Sequence, residues 1–288
     1  MRLRTLPLSL AGIMMGIFLS IEVRPIDWWT CVLLIMTAVS LQILSNLSNE
    51  LGDAQHGTDN AEDRQGMHYS LMDGKMTRQE MKRLISLFES NSMVFGLIMI
   101  EHSFNFPDFG FFFFLFFGAA AIWAAKHYTM GKNPYGYRGL GDIAVFVFFG
   151  LATVVGGCII CAHALPSWYA LMPAATIGLF SVGVLNVNNI RDAKTDAATR
   201  VTVAIKLGER GSRIYQTILV TAGWLLMVAY TLLTDGTWLY LFTLPFFILH
   251  LHGVWLRKDR GLDKMLPLLV GSSFLFSVLF GIGIIIHF

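Results

Sequence analysis

Two stretches of the chain combine carboxylates and amides at a spacing that suits metal chemistry. They read NLSNELGDAQHGTD at residues 46–59 and LNVNNIRDAKTD at residues 185–196. The first contains Asn49 and Asp53, and the second repeats the same Asn-x-x-x-Asp spacing at Asn188 and Asp192. Asp196 adds another carboxylate four residues further on. Because helical residues four apart share a face, each set is expected to project together.

Carboxylates grouped at the edge of an apolar segment repel one another, and they are tolerated there when a cation lies among them. Oxygen ligands without Cys or His suit Mg²⁺, which binds through a few carboxylates together with substrate phosphates. The two stretches therefore predict a Mg²⁺-bridged phosphate or diphosphate ligand.

Basic residues in the loops beside these stretches have two interpretations. They either supply counter-charge to a diphosphate or merely anchor the loops on one side of a membrane. They are Arg64, Lys75, Arg78, Lys82 and Arg83 in the first loop, and Arg191, Lys194, Arg200, Lys206, Arg210 and Arg213 in the second.

Amino-acid composition indicates the environment that surrounds these groups. The chain of 288 residues is 55% hydrophobic and 14% charged, against roughly 25% charged in an average soluble domain. This composition predicts a polytopic membrane protein surrounded by lipid. A net charge of +2 gives no reason to expect nucleic acid as a partner, and three cysteines do not suggest a disulfide framework.

Apolar runs of about 20 residues predict membrane-spanning helices. We expect an all-α fold of nine such helices around a central cavity, forming a single domain over residues 1–288. The first run is expected to be a retained span and not a cleaved signal peptide. The predicted spans are 3–22, 28–49, 84–100, 109–128, 140–163, 168–189, 214–233, 237–255 and 265–287.

The basic residues predict the orientation of these spans, because Lys and Arg are retained on the cytoplasmic side of short loops. With the N-terminus in the cytoplasm, Arg24 is the single residue among the 21 Lys and Arg that falls on the outer side. Both acidic stretches then lie on the cytoplasmic face of a cytoplasmic (inner) membrane, and the repeat between the two halves is a parallel one.

The paired motifs and their placement resemble the UbiA-type membrane prenyltransferases. The first motif of that family reads Asn-x-x-x-Asp-x-x-x-Asp, and the second reads Asp-x-x-x-Asp. Here the second motif is intact, but the third place of the first is Gly57, and the nearest acid is Asp59. This shift resembles the branch that prenylates 1,4-dihydroxy-2-naphthoate in menaquinone synthesis. Further similar segments are LRTLP at 3–7, QILSNLSNELGD at 42–53, NPYGYRGLGD at 133–142, VLNVNNIRD at 184–192 and LDKMLPLL at 262–269.

The resemblance implies transfer of a polyprenyl group from its diphosphate to 1,4-dihydroxy-2-naphthoate with loss of CO₂, which gives demethylmenaquinone. It implies no obligate protein partner. The implied Mg²⁺ ligands are Asn49, Asp53, Asp59, Asn188, Asp192 and Asp196, of which Asp53 and Asp192 are also expected to be catalytic. The expected contacts to the diphosphate are Arg64, Lys75 and Lys206.

The loop at 131–142 is the candidate site for the aromatic acceptor. Lys132 and Arg138 are expected to bind the acceptor's carboxylate, or phosphate, while Tyr135, Tyr137 or Asp142 polarises a ring hydroxyl. Alternatively, the glycines and the proline of this loop describe only a tight turn.

Other interpretations remain open at this point. A relative acting on another aromatic acid, such as 4-hydroxybenzoate, would carry the same motifs. A transporter is disfavoured because the acids cluster at one face and none lies centrally in a span. The Phe-rich run FGFFFFLFF at 109–117 is expected to face lipid, and Gln42 and Asn46 to form polar contacts between helices.

Overall fold

A computed structural model of the chain describes residues 5–56, 70–71 and 74–287. Within these residues the chain forms a short 3-10 turn at Tyr135–Tyr137 and nine longer helices, whose bounds are α1 Leu6–Ile21, α2 Trp28–His56, α3 Arg78–Ser103, α4 Phe109–His127, α5 Gly141–Ala162, α6 Trp168–Asp196, α7 Val203–Thr234, α8 Leu239–Leu256 and α9 Asp259–His287. Helices α2 to α9 are long and apolar enough to cross a membrane, and α1 is a shorter apolar helix of 16 residues. The predicted all-α membrane architecture is confirmed, one helix for each predicted span.

Helices α2 and α6 continue well past the apolar runs that predict them. Helix α2 ends at His56 and α6 ends at Asp196, so both acidic motifs lie on the last turns of long helices. Helix α7 begins earlier than its apolar run, at Val203, and contains a kink where Gly208 adopts φ +70°, a conformation that glycine reaches without steric cost. Asn49 and Asp53 of the first motif and Asn188, Asp192 and Asp196 of the second therefore project from helical backbone.

An aromatic core joins α6, α7, α8 and α9. The rings of Phe180 and Phe247 have centroids 4.6 Å apart, and Trp224 and Phe276 pack edge to face at 5.3 Å. Helix α5 meets α6 closely, because a Cβ atom at Gly150 would come within 2.6 Å of the Cα of Gly178. Small residues permit such close helix packing in membranes.

Apolar side chains on the outer surface agree with a lipid environment. Tryptophans stand exposed where α2, α6 and α8 begin, at Trp28, Trp29, Trp168 and Trp238. These three helices run in the same direction, so the tryptophans mark one face of the bundle. Tryptophan is enriched at membrane interfaces, and the chain is an integral membrane protein.

Candidate active site

A cavity of about 440 Å³ runs through the part of the bundle built by α1 to α6, and the loop before α7 and the first turns of α9 complete its wall. At one end it is lined by Asn49, Asp53 and Asn188 of the two motifs, and apolar residues from the opposite ends of α4 and α5, such as Phe114 and Ile160, line its deep part. The cavity thus joins an acidic mouth to an apolar interior.

The second motif is held by a fully buried arginine. Arg191 donates from Nε and Nη2 to the two carboxylate oxygens of Asp192, at 2.7 and 2.6 Å. The same guanidinium donates to Asn188 Oδ1 at 2.8 Å and to Asp263 Oδ1 at 2.6 Å. Because Asp263 lies at the start of α9, this network ties the second motif to the last helix and fixes the Asp192 carboxylate.

A second arginine joins the two motifs. Arg200 Nη2 lies 3.0 Å from Asp196 Oδ1, and Nη1 lies 4.0 Å from Asp53 Oδ1. Its guanidinium also lies 5.1 Å from the ring centroid of Tyr137, whose hydroxyl donates to Asp53 Oδ1 at 2.7 Å. The two acidic motifs are therefore within reach of one cation, as expected if they face one another across a common ligand.

Two loops position these groups by pairing with each other. The Val201 amide donates to the Tyr137 carbonyl at 3.0 Å, in a parallel bridge between Arg138 and Val201. The start of the same α4–α5 loop rests on α2, where the Thr129 hydroxyl donates to Asn49 Oδ1 at 3.1 Å. These contacts orient Arg200 and Asn49 toward the cavity mouth.

Two candidate residues of the loop at 131–142 line the cavity. Asp142 accepts a hydrogen bond from the Tyr215 hydroxyl at 3.0 Å. Tyr135 donates its hydroxyl to the Ala124 carbonyl at 2.9 Å, and burial raises the pKa of Tyr135 to about 12. The Tyr135 hydroxyl is therefore a neutral donor that is already engaged with the backbone.

The remaining predicted residues fall into three groups. Asp192 and Asp196 are buried at the helix end and paired with arginines. Four basic residues have exposed side chains and do not belong to the described cavity wall, namely Lys75, Lys132, Arg138 and Lys206. The Lys206 amine still lies near the mouth, 3.7 Å from where a Cβ atom of Gly139 would be. Asp59 and Arg64 lie outside the described residues.

Several contacts of the site were not predicted. Arg191 and Arg200 appear in the sequence only as loop cations, although the i, i+4 spacing of Asp196 and Arg200 signals an ion pair. The Phe-rich run divides between two surroundings. Phe109 and Phe116 are exposed as expected, but Phe114, Leu115 and Phe117 line the cavity.

The geometry and the chemistry of the donor side chains bear on metal binding. Within them, no group of three or more His, Cys, Asp or Glu side chains is close enough to hold a metal ion. The chemistry of the donors still fits Mg²⁺, because the side chains of Asn49, Asp53, Asn188, Asp192 and Asp196 offer carboxylate and amide oxygens.

The fold and the site define a polytopic helical membrane protein with two acidic motifs at the mouth of an apolar cavity. The model of the UbiA prenyltransferase family matches residues 9–281, and the chain belongs to that family.

Relatives and a solved structure are similar over almost the whole chain. The 1,4-dihydroxy-2-naphthoate octaprenyltransferases of Haemophilus influenzae and of Escherichia coli K12 are each 36% identical, over 99% of this chain and 94% and 93% of their own lengths. The apo structure of a UbiA homologue from Aeropyrum pernix K1 superposes with a TM-score of 0.70 at 15% identity, covering 97% of this chain and 100% of that one. At this identity the structural likeness concerns the fold alone.

Proposed function

We propose that this protein transfers a polyprenyl group from a polyprenyl diphosphate to 1,4-dihydroxy-2-naphthoate, with loss of CO₂, to give demethylmenaquinol, the quinol form of demethylmenaquinone. The observation that carries the proposal is the meeting of both motifs around Arg200 at the polar end of an apolar cavity. The names of the curated relatives support the choice of acceptor. We also propose that residues 1–288 act as a single domain.

The diphosphate of the donor binds at the cavity mouth. Mg²⁺, when bound there, acts as a Lewis acid that offsets charge on the phosphate oxygens. The residues proposed to hold it are Asn49, Asp53, Asp59, Asn188, Asp192 and Asp196. Arg200 adds a fixed positive charge beside Asp53 and Asp196, and Arg64, Lys75 and Lys206 complete the basic surroundings. As the allylic C–O bond breaks, its electron pair leaves on the diphosphate, which these charges stabilise.

The chemistry at the carbon end takes place inside the cavity. Tyr135 in the wall near the mouth offers a ring face to a carbocation-like allylic group, while Phe114 and Phe117 line the deep part of the cavity that receives the polyprenyl tail. Asp142, held by Tyr215, accepts a hydrogen bond from a ring hydroxyl and makes the ring more nucleophilic. A carbon–carbon bond to the ring then forms, and the carboxyl group leaves as CO₂. Lys132 and Arg138 attract the acceptor's carboxylate toward the mouth before it enters.

We further propose that the protein lies in the cytoplasmic membrane, with its N-terminus and the cavity mouth on the cytoplasmic side. All Lys and Arg residues except Arg24 then lie on that side. The exposed tryptophans at the starts of α2, α6 and α8 then mark the outer interface.

The test is product formation by the full-length protein in lipid, supplied with 1,4-dihydroxy-2-naphthoate, a prenyl diphosphate and Mg²⁺. We expect EDTA to abolish the product, and Asp53→Asn and Asp192→Asn each to lower kcat by at least about 100-fold. Asp108→Asn is the matched control, because this exposed carboxylate precedes α4 at the opposite face, and it should leave kcat unchanged.

Each contrary outcome has a distinct meaning. Product from 4-hydroxybenzoate alone would contradict the acceptor. Full activity of both variants would move the metal site away from the paired motifs. The absence of product from any aromatic acid would contradict the enzyme and favour a transporter.

A further inference from the structure

One face of α2 carries a row of polar residues that continues far beyond the acidic motif. Gln42, Asn46, Asn49 and Asp53 follow one another at steps of four, three and four residues, so they share one face of the helix. All four line the cavity. At 1.5 Å per residue, the row reaches about 16 Å from Asp53 toward the apolar interior.

Two hydroxyl side chains from the start of the chain complete the deep end of this row. The Ser9 hydroxyl of α1 donates to Gln42 Oε1 at 2.6 Å. The side-chain amides of Gln42 and Asn46 both donate to the Thr5 hydroxyl, each at 3.2 Å. Thr5 and Ser9 also line the cavity, so Thr5, Ser9, Gln42 and Asn46 form one polar cluster in its wall, here called the amide cluster.

The cavity must hold a diphosphate, an isoprenoid tail and an aromatic acceptor, and the chemistry of the amide cluster suits only the acceptor. It carries no formal charge, so it does not offer the cations that a diphosphate requires. It is polar, so it offers nothing to an isoprenoid tail. It combines N–H and O–H donors with carbonyl and hydroxyl acceptors, which is the combination that suits a phenolic hydroxyl.

Polar side chains can also serve only to join helices, and a second polar network in this protein has that arrangement. Asn186 donates to Gln216 Oε1 at 2.9 Å, and Gln216 Nε2 lies 3.0 Å from His250 Nε2. This network joins α6, α7 and α8 away from the described cavity wall. In the amide cluster, the Ser9–Gln42 bond is short at 2.6 Å, but the contacts among Thr5, Gln42 and Asn46 are 3.2 to 3.4 Å long. Such long contacts are weak and exchange readily for a ligand.

We propose that the amide cluster is the subsite for the 4-hydroxyl group of the aromatic acceptor. This inference rests on the proposed function. The carboxylate of 1,4-dihydroxy-2-naphthoate is drawn to the basic groups at the mouth, and its 1-hydroxyl is adjacent to that carboxylate. Once the acceptor has entered the cavity with this edge toward the mouth, the 4-hydroxyl on the opposite edge of the same ring points inward, toward Asn46 and Gln42.

The experiment compares two glutamine variants of the full-length protein in lipid. Gln42→Met and Gln216→Met each remove a buried glutamine that hydrogen-bonds between helices, but only Gln42 lines the cavity. We expect Gln42→Met to raise KM for the acceptor about tenfold, as the loss of a hydrogen bond to a ligand predicts, with KM for the prenyl diphosphate unchanged. Gln216→Met should leave both KM values unchanged.

A second measurement tests recognition of the acceptor's 4-hydroxyl group directly. The dissociation constants of 1,4-dihydroxy-2-naphthoate and of 1-hydroxy-2-naphthoate, which lacks the 4-hydroxyl, are compared under anaerobic conditions. The wild-type protein should prefer the diol, and Gln42→Met should lose most of that preference. Should Gln42→Met not fold, Ser9→Ala serves instead, because it removes only the hydroxyl that orients the Gln42 amide, and it should reduce the preference about threefold.

The outcomes separate this inference from the function on which it rests. An undiminished preference for the diol in the folded Gln42→Met variant, or in Ser9→Ala where that variant is used, would overturn the subsite while leaving the prenyltransferase reaction intact. Equal rises in the acceptor KM for Gln42→Met and Gln216→Met would assign the cluster to helix cross-linking. Failure of the wild-type protein to use this acceptor would contradict the proposed function itself.

Discussion

Replacing Arg191 by methionine should be among the most damaging single changes in the second motif. The Arg191 side chain has no solvent exposure, and its guanidinium is paired with Asp192 and Asp263, whose side chains are 9% and 29% exposed. Methionine fills much of the same volume but leaves both carboxylates without this partner. The Asp192 carboxylate suffers most, because both of its oxygens accept from Arg191.

The magnitude follows from the burial of the pair. Removing one partner of a buried ion pair costs about 3–5 kcal/mol, because the other charge remains in a poorly solvated site. The free energy of unfolding can be measured by titration with SDS in bicelles, following the fluorescence of the seven tryptophans. The matched control is Arg210→Met, which alters an exposed arginine of α7 and should change stability by less than about 0.5 kcal/mol.

The double variant Arg191→Met/Asp192→Asn separates this cause from a loss of packing. It removes the unpaired carboxylate along with the guanidinium, so it should recover at least about 2 kcal/mol relative to Arg191→Met, within the range of coupling energies for contacting residues. If the double variant is as unstable as Arg191→Met, or if Arg191→Met costs less than about 1 kcal/mol, the buried ion pair does not support the end of α6.

Two further changes probe the contacts around the first motif. Tyr137→Phe removes a hydrogen bond to the Asp53 carboxylate, so kcat/KM for the prenyl diphosphate should fall about tenfold or more. The control Tyr135→Phe loses only a bond to a backbone carbonyl and should have a smaller effect. Equal effects of the two variants would contradict the role of Tyr137. Gly52→Ala would place a Cβ atom 2.6 Å from the backbone oxygen of Thr129, so thermal unfolding should show a loss of about 1–3 kcal/mol. Gly271→Ala, which meets no atom within 4 Å, should be neutral or slightly stabilising.

The sequence predicted the fold well because lipid imposes strong rules on it. A helix needs about 20 apolar residues to cross the hydrocarbon core, so the number of helices could be counted from the apolar runs. The distribution of Lys and Arg between alternate loops supports the same count. The ends of α2 and α6 were less predictable. Both helices extend to His56 and Asp196 beyond the apolar runs, where hydropathy no longer distinguishes a helix from a loop.

The assembly of the site could be predicted only in part. The spacing of Asn49 and Asp53 determines that they share a helix face, and the repeat at Asn188 and Asp192 suggests a facing partner. The pairing of Tyr137 with Val201 joins two irregular loops through backbone atoms, which carry no sequence signal. The aromatic part of the cavity wall was not predicted, because residue type does not distinguish the two sides of α4. Phe114 is buried and its neighbour Phe113 is exposed, although both are phenylalanines.

The two arginines of the site show why composition cannot assign roles to loop cations. Arg191 is fully enclosed, with its hydrogen bonds to Asp192, Asp263 and Asn188 at 2.6 to 2.8 Å, so it serves as a permanent counter-ion within the scaffold. Arg200 is 16% exposed, lines the cavity, and lies 4.0 Å from Asp53. At that distance the attraction is Coulombic and weaker than a close hydrogen bond. Arg200 can therefore exchange its contact with Asp53 for an entering polyanion, whereas Arg191 stays bound to Asp192 and holds that carboxylate in place.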